Sequence, residues 1–218
     1  MSRVAPAAMA FCLALSAASA SAGLINGSFE TPLVPNGGFT NFAAGSSAIT
    51  GWTVVGVDTA IVNTNFVQSG IHFQAHDGNQ WADLAGVTSN SQTSGLSQNV
   101  ATSIGASYML SFWVGSATDG VFFFPTTVDL SLNGGARTHY TNPAAPTDHL
   151  DWKQFLVVFT ATSATTNITF YNGGTPNNFL NGLDDVTLTA VPEPASVALL
   201  LAGAPCVAGL VRLRRRHG

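Results

Sequence analysis

Apolar and polar residues alternate in short runs through the middle of the chain, which predicts β-strands with one buried and one exposed face. Apolar side chains occupy every second position in the runs 108–114, 155–159, 168–170 and 186–188. Shorter strand candidates are residues 52–57, 81–84, 96–100 and 128–132. No window shows the 3.6-residue apolar period of an amphipathic helix. The pattern therefore predicts an all-β domain.

Asn-Gly sequences separate these runs and supply the turns that a sheet of short strands needs. They lie at residues 36–38, 133–135, 172–174 and 181–182. Many short strands with turn signals between them are typical of a β-sandwich. We find no internal repeat and no sign of a second domain, so residues 23–190 are predicted to form one sandwich.

Composition supports this prediction, because only 8% of the residues are charged and 22 are glycine. A soluble amphipathic helix needs charged residues on its outer face, whereas Ser, Thr and glycine turns suit strands and loops. Between residues 23 and 191, only Arg137 and Lys153 oppose ten Asp and Glu side chains, a net charge of −8. This charge disfavours nucleic acid as a partner. Both cysteines, Cys12 and Cys206, lie outside that region, so an internal disulfide is excluded there.

The first 22 residues have the parts of a secretory signal peptide. Arg3 supplies a positive charge, residues 8–18 form a short apolar stretch, and Ala20-Ser21-Ala22 precedes a cut at Gly23. A cut after Ala18-Ser19-Ala20 is the alternative. The apolar stretch is shorter than the roughly 20 residues that span a bilayer. We therefore expect the chain to be exported.

Residues 191–218 form a second targeting segment. Residues 195–211 carry no charge, and a cluster of four arginines follows them. This predicts a marginal transmembrane helix whose basic end stays in the cytoplasm, with the main domain outside. A plain C-terminal tail anchor is the alternative. The arginines are Arg212, Arg214, Arg215 and Arg216.

This segment resembles the PEP-CTERM sorting signal of Gram-negative bacteria, because Pro192, Glu193 and Pro194, the apolar stretch and the arginines occur in the same order. The resemblance implies processing by an exosortase near that motif during export. The chain would be anchored in the inner membrane in transit and then reach the cell surface or extracellular matrix. Such proteins occur in bacteria that build extracellular polysaccharide. Whether the C-terminal segment is removed stays open.

Residues 24–189 are similar to the galactose-binding-like jelly-roll modules, a kind of carbohydrate-binding module, found in carbohydrate-active enzymes and in PEP-CTERM surface proteins. The similarity lies in the order of short motifs over about 165 residues. They are Asn26-Gly27-Ser28-Phe29-Glu30, Gly51-Trp52, Asp77-Gly78, Asp83-Leu84, Leu96-Ser97-Gln98, residues 108–112, Trp152 and Leu183-Asp184-Asp185-Val186. The resemblance implies a jelly-roll β-sandwich, and it says less about the ligand, since one fold hosts many functions.

The same resemblance implies a structural calcium site at Glu30, Asp184 and Asp185. Related modules place the ion beside the first and last strands, and Ca²⁺ takes about six to eight oxygen ligands. Strand alternation puts Asp184 on the face of Val186 and Asp185 on the opposite face. Which of the two binds stays open, and solvated carboxylates at strand ends are the alternative.

His72 and His76 are four residues apart, a spacing that presents two imidazoles to zinc when it occurs on a helix. Their segment has no helical pattern and no nearby glutamate in a metalloprotease arrangement. A loop with uncommitted histidines is therefore the favoured interpretation.

Aromatic side chains can stack on the apolar faces of sugar rings while amide and hydroxyl groups bind the sugar hydroxyls. Trp113 lies opposite the apolar face of its own strand and is a candidate ligand-binding residue. The other candidates are Phe122, Phe123 and Phe124. A buried bend is the alternative for these three. Trp52 and Trp152 match framework positions of the resembled modules and are expected in the core.

The sequence shows no nucleophile elbow, no glycine-rich phosphate loop and no pair of acids marked for glycoside hydrolysis. We therefore predict a non-catalytic surface or matrix protein that binds carbohydrate, with the cell's own exopolysaccharide as the expected partner. A structural matrix protein that self-associates without a glycan site is the alternative. An extracellular hydrolase is a more remote one.

Overall fold

The computed structural model describes residues 23–87, 90–119, 122, 125–174 and 179–192. The signal peptide, the membrane segment and the sorting motif beyond Pro192, all predicted from the sequence, lie outside these residues. Within the described residues, no helix is long and apolar enough to cross a membrane. The domain forms one compact unit, Ser21–Val191.

The described residues contain thirteen β-strands and no α-helix. The strands are β1 Phe39–Ala43, β2 Thr53–Val55, β3 Asp58–Asn63, β4 Val67–Gln68, β5 Ile71–His72, β6 Gln80–Asp83, β7 Gly95–Ala101, β8 Ser107–Ser116, β9 Thr126–Leu132, β10 Thr138–Asn142, β11 Asp151–Thr160, β12 Thr165–Asn172 and β13 Gly182–Val191.

Eleven of the thirteen strands form two antiparallel sheets. The six-stranded sheet has the order β1-β3-β6-β13-β8-β11, and the five-stranded sheet has the order β10-β9-β12-β7-β2. The hairpin β4-β5 stands apart from both. The predicted all-β sandwich is confirmed.

The main core lies between the two sheets and is made of the apolar residues that alternate along the strands. Phe112 on β8 and Phe170 on β12 meet across the sandwich with their ring centroids 4.9 Å apart. Trp52 is 1% exposed beside them, as predicted, and its ring lies 6.3 Å from that of Phe170. The predicted inward faces of β8, β12 and β13 are therefore confirmed.

One predicted Asn-Gly turn is a tight turn. Asn133 and Gly134 both have positive φ, 52° and 70°, and the Gly135 N–H donates to the Leu132 carbonyl at 2.9 Å. Two consecutive residues of positive φ make the type I′ geometry that Asn-Gly favours. By contrast, Gly182 begins strand β13 instead of forming a turn.

A second apolar core covers the outer face of the six-stranded sheet, which we call the covered face. Along β3, Ile61 points into the main core while Ala60 and Val62 point into this second core. Trp81 on β6 and Phe73 from the preceding segment pack there with their rings 6.2 Å apart. The other buried members are Ile71, Ala117, Phe122, Leu150 and Leu180.

Strand β13 departs from regular alternation near its start. The register with β8 shifts between Asp184 and Thr187, and Asp185 has a φ of 47°. As a result, Leu183 and Val186, three residues apart, both reach the main core. Asp184 pairs with Trp113 on the covered face. The predicted placement of Asp184 on the face of Val186 is wrong, because a β-bulge adds one residue and reverses the alternation.

Candidate functional site

Two of the three carboxylates predicted to meet at the ends of the first and last strands, Glu30 and Asp184, hold the segment 76–80 in place. Asp184 is fully buried, and its Oδ2 accepts the backbone N–H groups of His76 at 2.8 Å and Asp77 at 3.0 Å. Glu30 Oε1 accepts the N–H groups of Asn79 at 2.6 Å and Gln80 at 2.8 Å. Both side chains therefore fasten the same loop.

The glycine within this loop is required by the Glu30 contact. Gly78 has a φ of 68°, and a Cβ atom there would lie 2.5 Å from Glu30 Oε1. The positive φ disfavours any other residue, and a Cβ atom would displace the Glu30 carboxylate from the loop. Asp77 is linked to the N-terminal segment as well, because Ser28 Oγ donates to its Oδ2 at 2.7 Å.

Asp185 lies at the bulge and belongs to a small aromatic cluster. The neighbouring Trp113 side chain favours its ionised form, and His76 Nδ1 lies 3.4 Å from its Oδ2. The His76 and Trp113 rings are stacked with centroids 3.7 Å apart. Burial raises the pKa of Asp185 above its ordinary value. Burial also raises the pKa of Asp184 to about 8, although three backbone N–H groups favour its ionised form.

These contacts bear on the predicted calcium site. Backbone N–H groups already occupy the carboxylate oxygens of Asp184 and one oxygen of Glu30, so they do not present the open set of oxygens that Ca²⁺ takes. Among the described residues, no group of three or more His, Cys, Asp and Glu side chains could hold a metal ion. Calcium at Glu30, Asp184 and Asp185 stays a prediction from the sequence.

Two of the predicted aromatic ligand-binding residues, Trp113 and Phe122, have less access to solvent than their pattern indicated. Trp113 faces outward as expected, but His76 covers one face of its ring. Phe122 is only 7% exposed and packs edge-on against Phe73 at 5.3 Å. Its assignment as a sugar-stacking residue is wrong, because the second core draws its ring inward. Phe123 and Phe124 lie outside the described residues.

The structure places Trp152 outside the main core, and it gives His72 and His76 different surroundings. Trp152 is partly buried against the second core, on the covered face and not between the sheets, and its indole N–H donates to the Gln74 carbonyl at 2.9 Å. His72 is exposed on β5, and His76 is engaged with Trp113. The two histidines therefore have different surroundings.

The opposite side of the sandwich carries a site that the sequence pattern did not reveal. The outward residues of the five-stranded sheet are almost entirely hydroxyl, amide and charged side chains, and we call this surface the polar face. Its members on the strands are Thr53, Ser97, Asn99, Thr127, Asp129, Ser131, His139, Thr141, Asn167, Thr169 and Tyr171. Asp129, Ser131 and Thr169 are buried within this face, at 5%, 3% and 4% exposure. Strand pairing aligns Thr53, Ser97, Thr169 and Ser131 in one row across four strands.

Hydrogen bonds connect these side chains into a network. Asn167 Nδ2 donates to Ser97 Oγ at 2.9 Å and to Asn99 Oδ1 at 2.8 Å. Thr169 Oγ1 donates to Asn167 Oδ1 at 2.8 Å, and it lies 2.9 Å from Ser97 Oγ. The network fixes the side-chain positions before any ligand arrives, which lowers the entropic cost of binding.

An aromatic and two charged groups lie in the neighbouring row of the polar face. The Arg137 guanidinium stacks over the Tyr171 ring at 3.6 Å from its centroid, and Arg137 Nη1 donates to the Gln92 carbonyl at 2.7 Å. Asp129 pairs with Tyr171 across β9 and β12 and contacts His139 Nδ1. A planar cation, a carboxylate and hydroxyl groups therefore share one surface. The only available sequence signal for this site was the density of Ser, Thr and Asn on the outward positions of β7, β9 and β12.

Comparison with known proteins gives a family and a set of distant structures. A family model described as "Protein of unknown function (DUF642)" matches residues 22–188. No curated protein matches the chain. One similar structure is the Podospora anserina GH26-CBM35 β-(1,4)-mannanase, at 16% identity and a TM-score of 0.42 over 73% of this chain and 29% of that one. This chain thus spans less than a third of the mannanase's length.

Two other similar structures are single modules. The CBM22-1 xylan-binding domain of Paenibacillus barcinonensis Xyn10C has 14% identity and a TM-score of 0.41, with 73% of this chain and 99% of that one covered. A structure titled "CBM4 structure and function" has 19% identity and a TM-score of 0.37, with 76% and 98% covered. At such low identities and scores, the function has to be argued from the geometry of this chain itself.

Proposed function

Because the chain belongs to the family described as "Protein of unknown function (DUF642)", whose description names no activity, we propose its function from its own geometry. We propose that it is a non-catalytic protein that binds a polysaccharide on the polar face. The single observation that carries this proposal is the hydrogen-bond network in which the buried Thr169 orders the partly exposed Ser97 and Asn167 on the outward side of the sheet.

The chemistry of the polar face suits sugar hydroxyl groups. Hydroxyl and amide side chains can both donate and accept hydrogen bonds, as each sugar hydroxyl can. The row from Ser131 to Thr53 crosses three inter-strand spacings, about 14 Å in all. This length suits an extended polymer better than a single small molecule.

Tyr171 and Arg137 would provide the flat part of the site. Aromatic rings bind the apolar faces of sugars, and a guanidinium adds donors in a fixed plane. Since Arg137 covers one face of the Tyr171 ring, the guanidinium plane is the flat surface that this pair presents beside the row from Ser131 to Thr53. Ordered contact groups of this kind bind with little loss of conformational entropy.

The wider setting of the protein belongs to the same proposal. We expect a jelly-roll, galactose-binding-like domain that is exported by the signal peptide, sorted through the Pro192-Glu193-Pro194 segment by an exosortase, and placed at the cell surface or in the extracellular matrix. The alternation of successive strands between the two sheets supports the jelly-roll description. Calcium and a host exopolysaccharide as ligand are predictions that the experiment below includes.

A structural matrix role remains a second candidate because of strand β11. This ten-residue strand forms one edge of the six-stranded sheet and exposes Leu156 at 58% and Val158 at 66%. Long exposed edge strands with apolar residues favour pairing with another chain. Self-association through β11 would serve a matrix protein that has no glycan site.

The proposal is tested by retention of the full chain on a panel of immobilised polysaccharides that includes the host's own, with calcium and with a chelator. The variants Tyr171→Ala and Arg137→Ala are expected to reduce retention on the bound glycan at least about tenfold, as for contact residues at an interface centre. Thr189→Ala, exposed on the six-stranded sheet, is the matched control and should bind as the parent does.

Retention by no glycan under either condition would overturn the proposal and favour the structural matrix role. Turnover of a retained glycan that disappears when one carboxylate is replaced would show an enzyme instead. Loss of retention on chelation alone would support the calcium prediction without changing the location of the site.

A further inference from the structure

The covered face contains a cavity that the proposed glycan site does not use. It has a volume of about 170 Å³ and lies beside the second core, on the side of the β1, β3 and β6 strands. Six of its thirteen described lining residues are aromatic. The aromatic residues are Phe39, Phe66, Phe73, Trp81, Phe122 and Phe179.

The cavity has one charged group in its described wall. Asp83 lies at the end of β6, and its Oδ1 accepts the N–H groups of Ala85 and Asn181, each at 3.0 Å. No described Lys or Arg lines the cavity. The two described cations lie elsewhere, since Arg137 stacks on Tyr171 and Lys153 Nζ donates to the Thr141 carbonyl.

A second carboxyl adds negative potential behind this wall. Asp58 on β3 is 2% exposed, accepts hydrogen bonds from Asn41 Nδ2 and the Val87 N–H at 3.0 Å each, and acts on Asp83 as a like charge. Gly86 leaves space beside the Asp58 carboxylate, because a Cβ atom at this position would lie 2.5 Å from it. Acidic groups behind an aromatic wall favour a positively charged occupant.

The size and lining of the cavity restrict the class of ligand. The volume is well below the roughly 300–1,000 Å³ of sites for drug-sized molecules, so it suits a headgroup and not an oligosaccharide. Aromatic faces together with a carboxylate are the groups that recognise ammonium cations. Phe39 at 40% exposure and Phe179 at 47% lie at the rim, where the remainder of such a ligand could leave the protein.

We propose that this cavity binds the alkylammonium headgroup of a small organic cation, with the Asp83 carboxylate as its counter-ion and the aromatic residues as its wall. The proposal is independent of glycan binding, because the cavity lies on the covered face and the hydroxyl network on the polar face. Either can fail without the other.

The ionisation of Asp83 gives the proposal a pH dependence. Burial raises the pKa of Asp83 to about 7, and the neighbouring Asp58 contributes in the same direction. A bound cation favours the ionised form, so affinity is expected to increase as the pH rises from 6 to 8. Among the described residues, Asp83 is the one titratable group in the wall, and Asp58 on β3 is the other acid that acts on it.

The test is isothermal titration calorimetry of the full chain at pH 8 with two probes of nearly equal shape. Choline carries the cationic headgroup, and 3,3-dimethyl-1-butanol is its neutral carbon analogue. Choline is expected to bind at least about tenfold more tightly than the neutral analogue, because only the cation gains from the carboxylate and the ring faces. Equal affinities, or no binding of choline, would overturn the proposal.

Variants locate the binding to the cavity. Asp83→Asn keeps an oxygen for Ala85 and Asn181 but removes the charge, and we expect it to weaken choline at least about tenfold while the neutral analogue is unaffected. Asp148→Asn, an exposed acid elsewhere, is the matched control. If Asp83→Asn fails to fold, Phe39→Ala at the rim should still weaken choline severalfold. Unchanged choline affinity in the folded variant would overturn the proposal.

Discussion

Both outer faces of the sandwich are formed by every second residue of their strands. One face is covered by a further apolar layer, and the other is polar. On the covered face, the outward residues include Trp81, Ala60 and Val62, and the connecting segments fold over them into a second core. On the polar face, the outward residues include Ser97 and Asn167, and their hydrogen bonds run between side chains on the surface. The outward half of each strand therefore decides whether a sheet receives a third layer or keeps a polar outer surface.

The comparison also separates the roles of the acidic residues. On the covered face, Asp184 and Glu30 hold a loop by accepting its backbone N–H groups. On the polar face, Asp129 contacts His139, its partner on the adjacent strand. Acids on the first face are structural supports for a layer, whereas Asp129 on the second is 5% exposed and contacts the exposed His139.

The largest expected effect is on the covered face. Trp81→Ala removes a side chain that is 1% exposed and whose indole N–H donates to the Phe73 carbonyl at 2.9 Å. Loss of a buried aromatic side chain should lower the free energy of unfolding by about 3–5 kcal/mol, measured by denaturant titration. A loss below about 1 kcal/mol would show that the second core does not stabilise the domain.

The second-largest effect on stability is expected at the segment 76–80, whose backbone N–H groups Asp184 accepts. Asp184→Ala leaves the N–H groups of His76 and Asp77 without their acceptor, which should cost about 2–3 kcal/mol of unfolding free energy. Asp184→Asn keeps one acceptor oxygen and should lose less. Thr187→Ala, exposed further along β13, is the control. If Asp184→Ala is as stable as the parent, the loop is held by other contacts.

The covered face should also make stability depend on pH. Because burial raises the pKa of Asp83 from 3.8 to about 7, the folded protein keeps a proton that the unfolded chain has lost. Its contribution is therefore fully favourable below about pH 4 and is lost as the pH rises towards 7. Between pH 5 and 7 the parent should lose about 2 kcal/mol more than Asp83→Asn in thermal or denaturant unfolding. If the free energies of unfolding of the parent and of Asp83→Asn change equally with pH, the raised pKa of Asp83 is contradicted.

Much of the sandwich could be predicted from the sequence, because strands with one buried face alternate clearly. The inward residues of β8 were predicted from their spacing alone and are buried. Strand β3 was not predicted, since all six of its residues are buried and the alternation that marks a strand is hidden. Its apolar residues Ala60, Ile61 and Val62 are consecutive, so they show no alternation.

The candidate site was harder to predict, for two physical reasons. The bulge at Asp185 reverses the alternation, so Asp184 lies on the face opposite to the one its spacing indicated. The residues of the polar face come from five strands that are distant in the chain, such as Ser97 and Thr169. Separately, each of these residues looks like an ordinary solvated side chain, and only strand pairing brings them together.

The smallest expected effect on stability belongs to the polar face, and it makes the sharpest test of the comparison. Asn167→Ala removes the donor to Ser97 and Asn99 and the acceptor of Thr169. Because Asn167 is partly exposed and water can replace these bonds, the free energy of unfolding should fall by less than about 1 kcal/mol.

The same Asn167→Ala variant should nevertheless lose most of its retention on the bound glycan, since the network orders the hydroxyls of Ser97 and Thr169 for the ligand. Trp81→Ala, studied at a temperature where it remains folded, should show the reverse: a large loss of stability with glycan retention kept. A loss of stability in Asn167→Ala comparable to that of Trp81→Ala would mean that the network supports the fold. Unchanged retention in Asn167→Ala would place the glycan elsewhere. The two variants are expected to have opposite effects on stability and on glycan retention, because the two side chains lie on opposite outer faces with the main core between them.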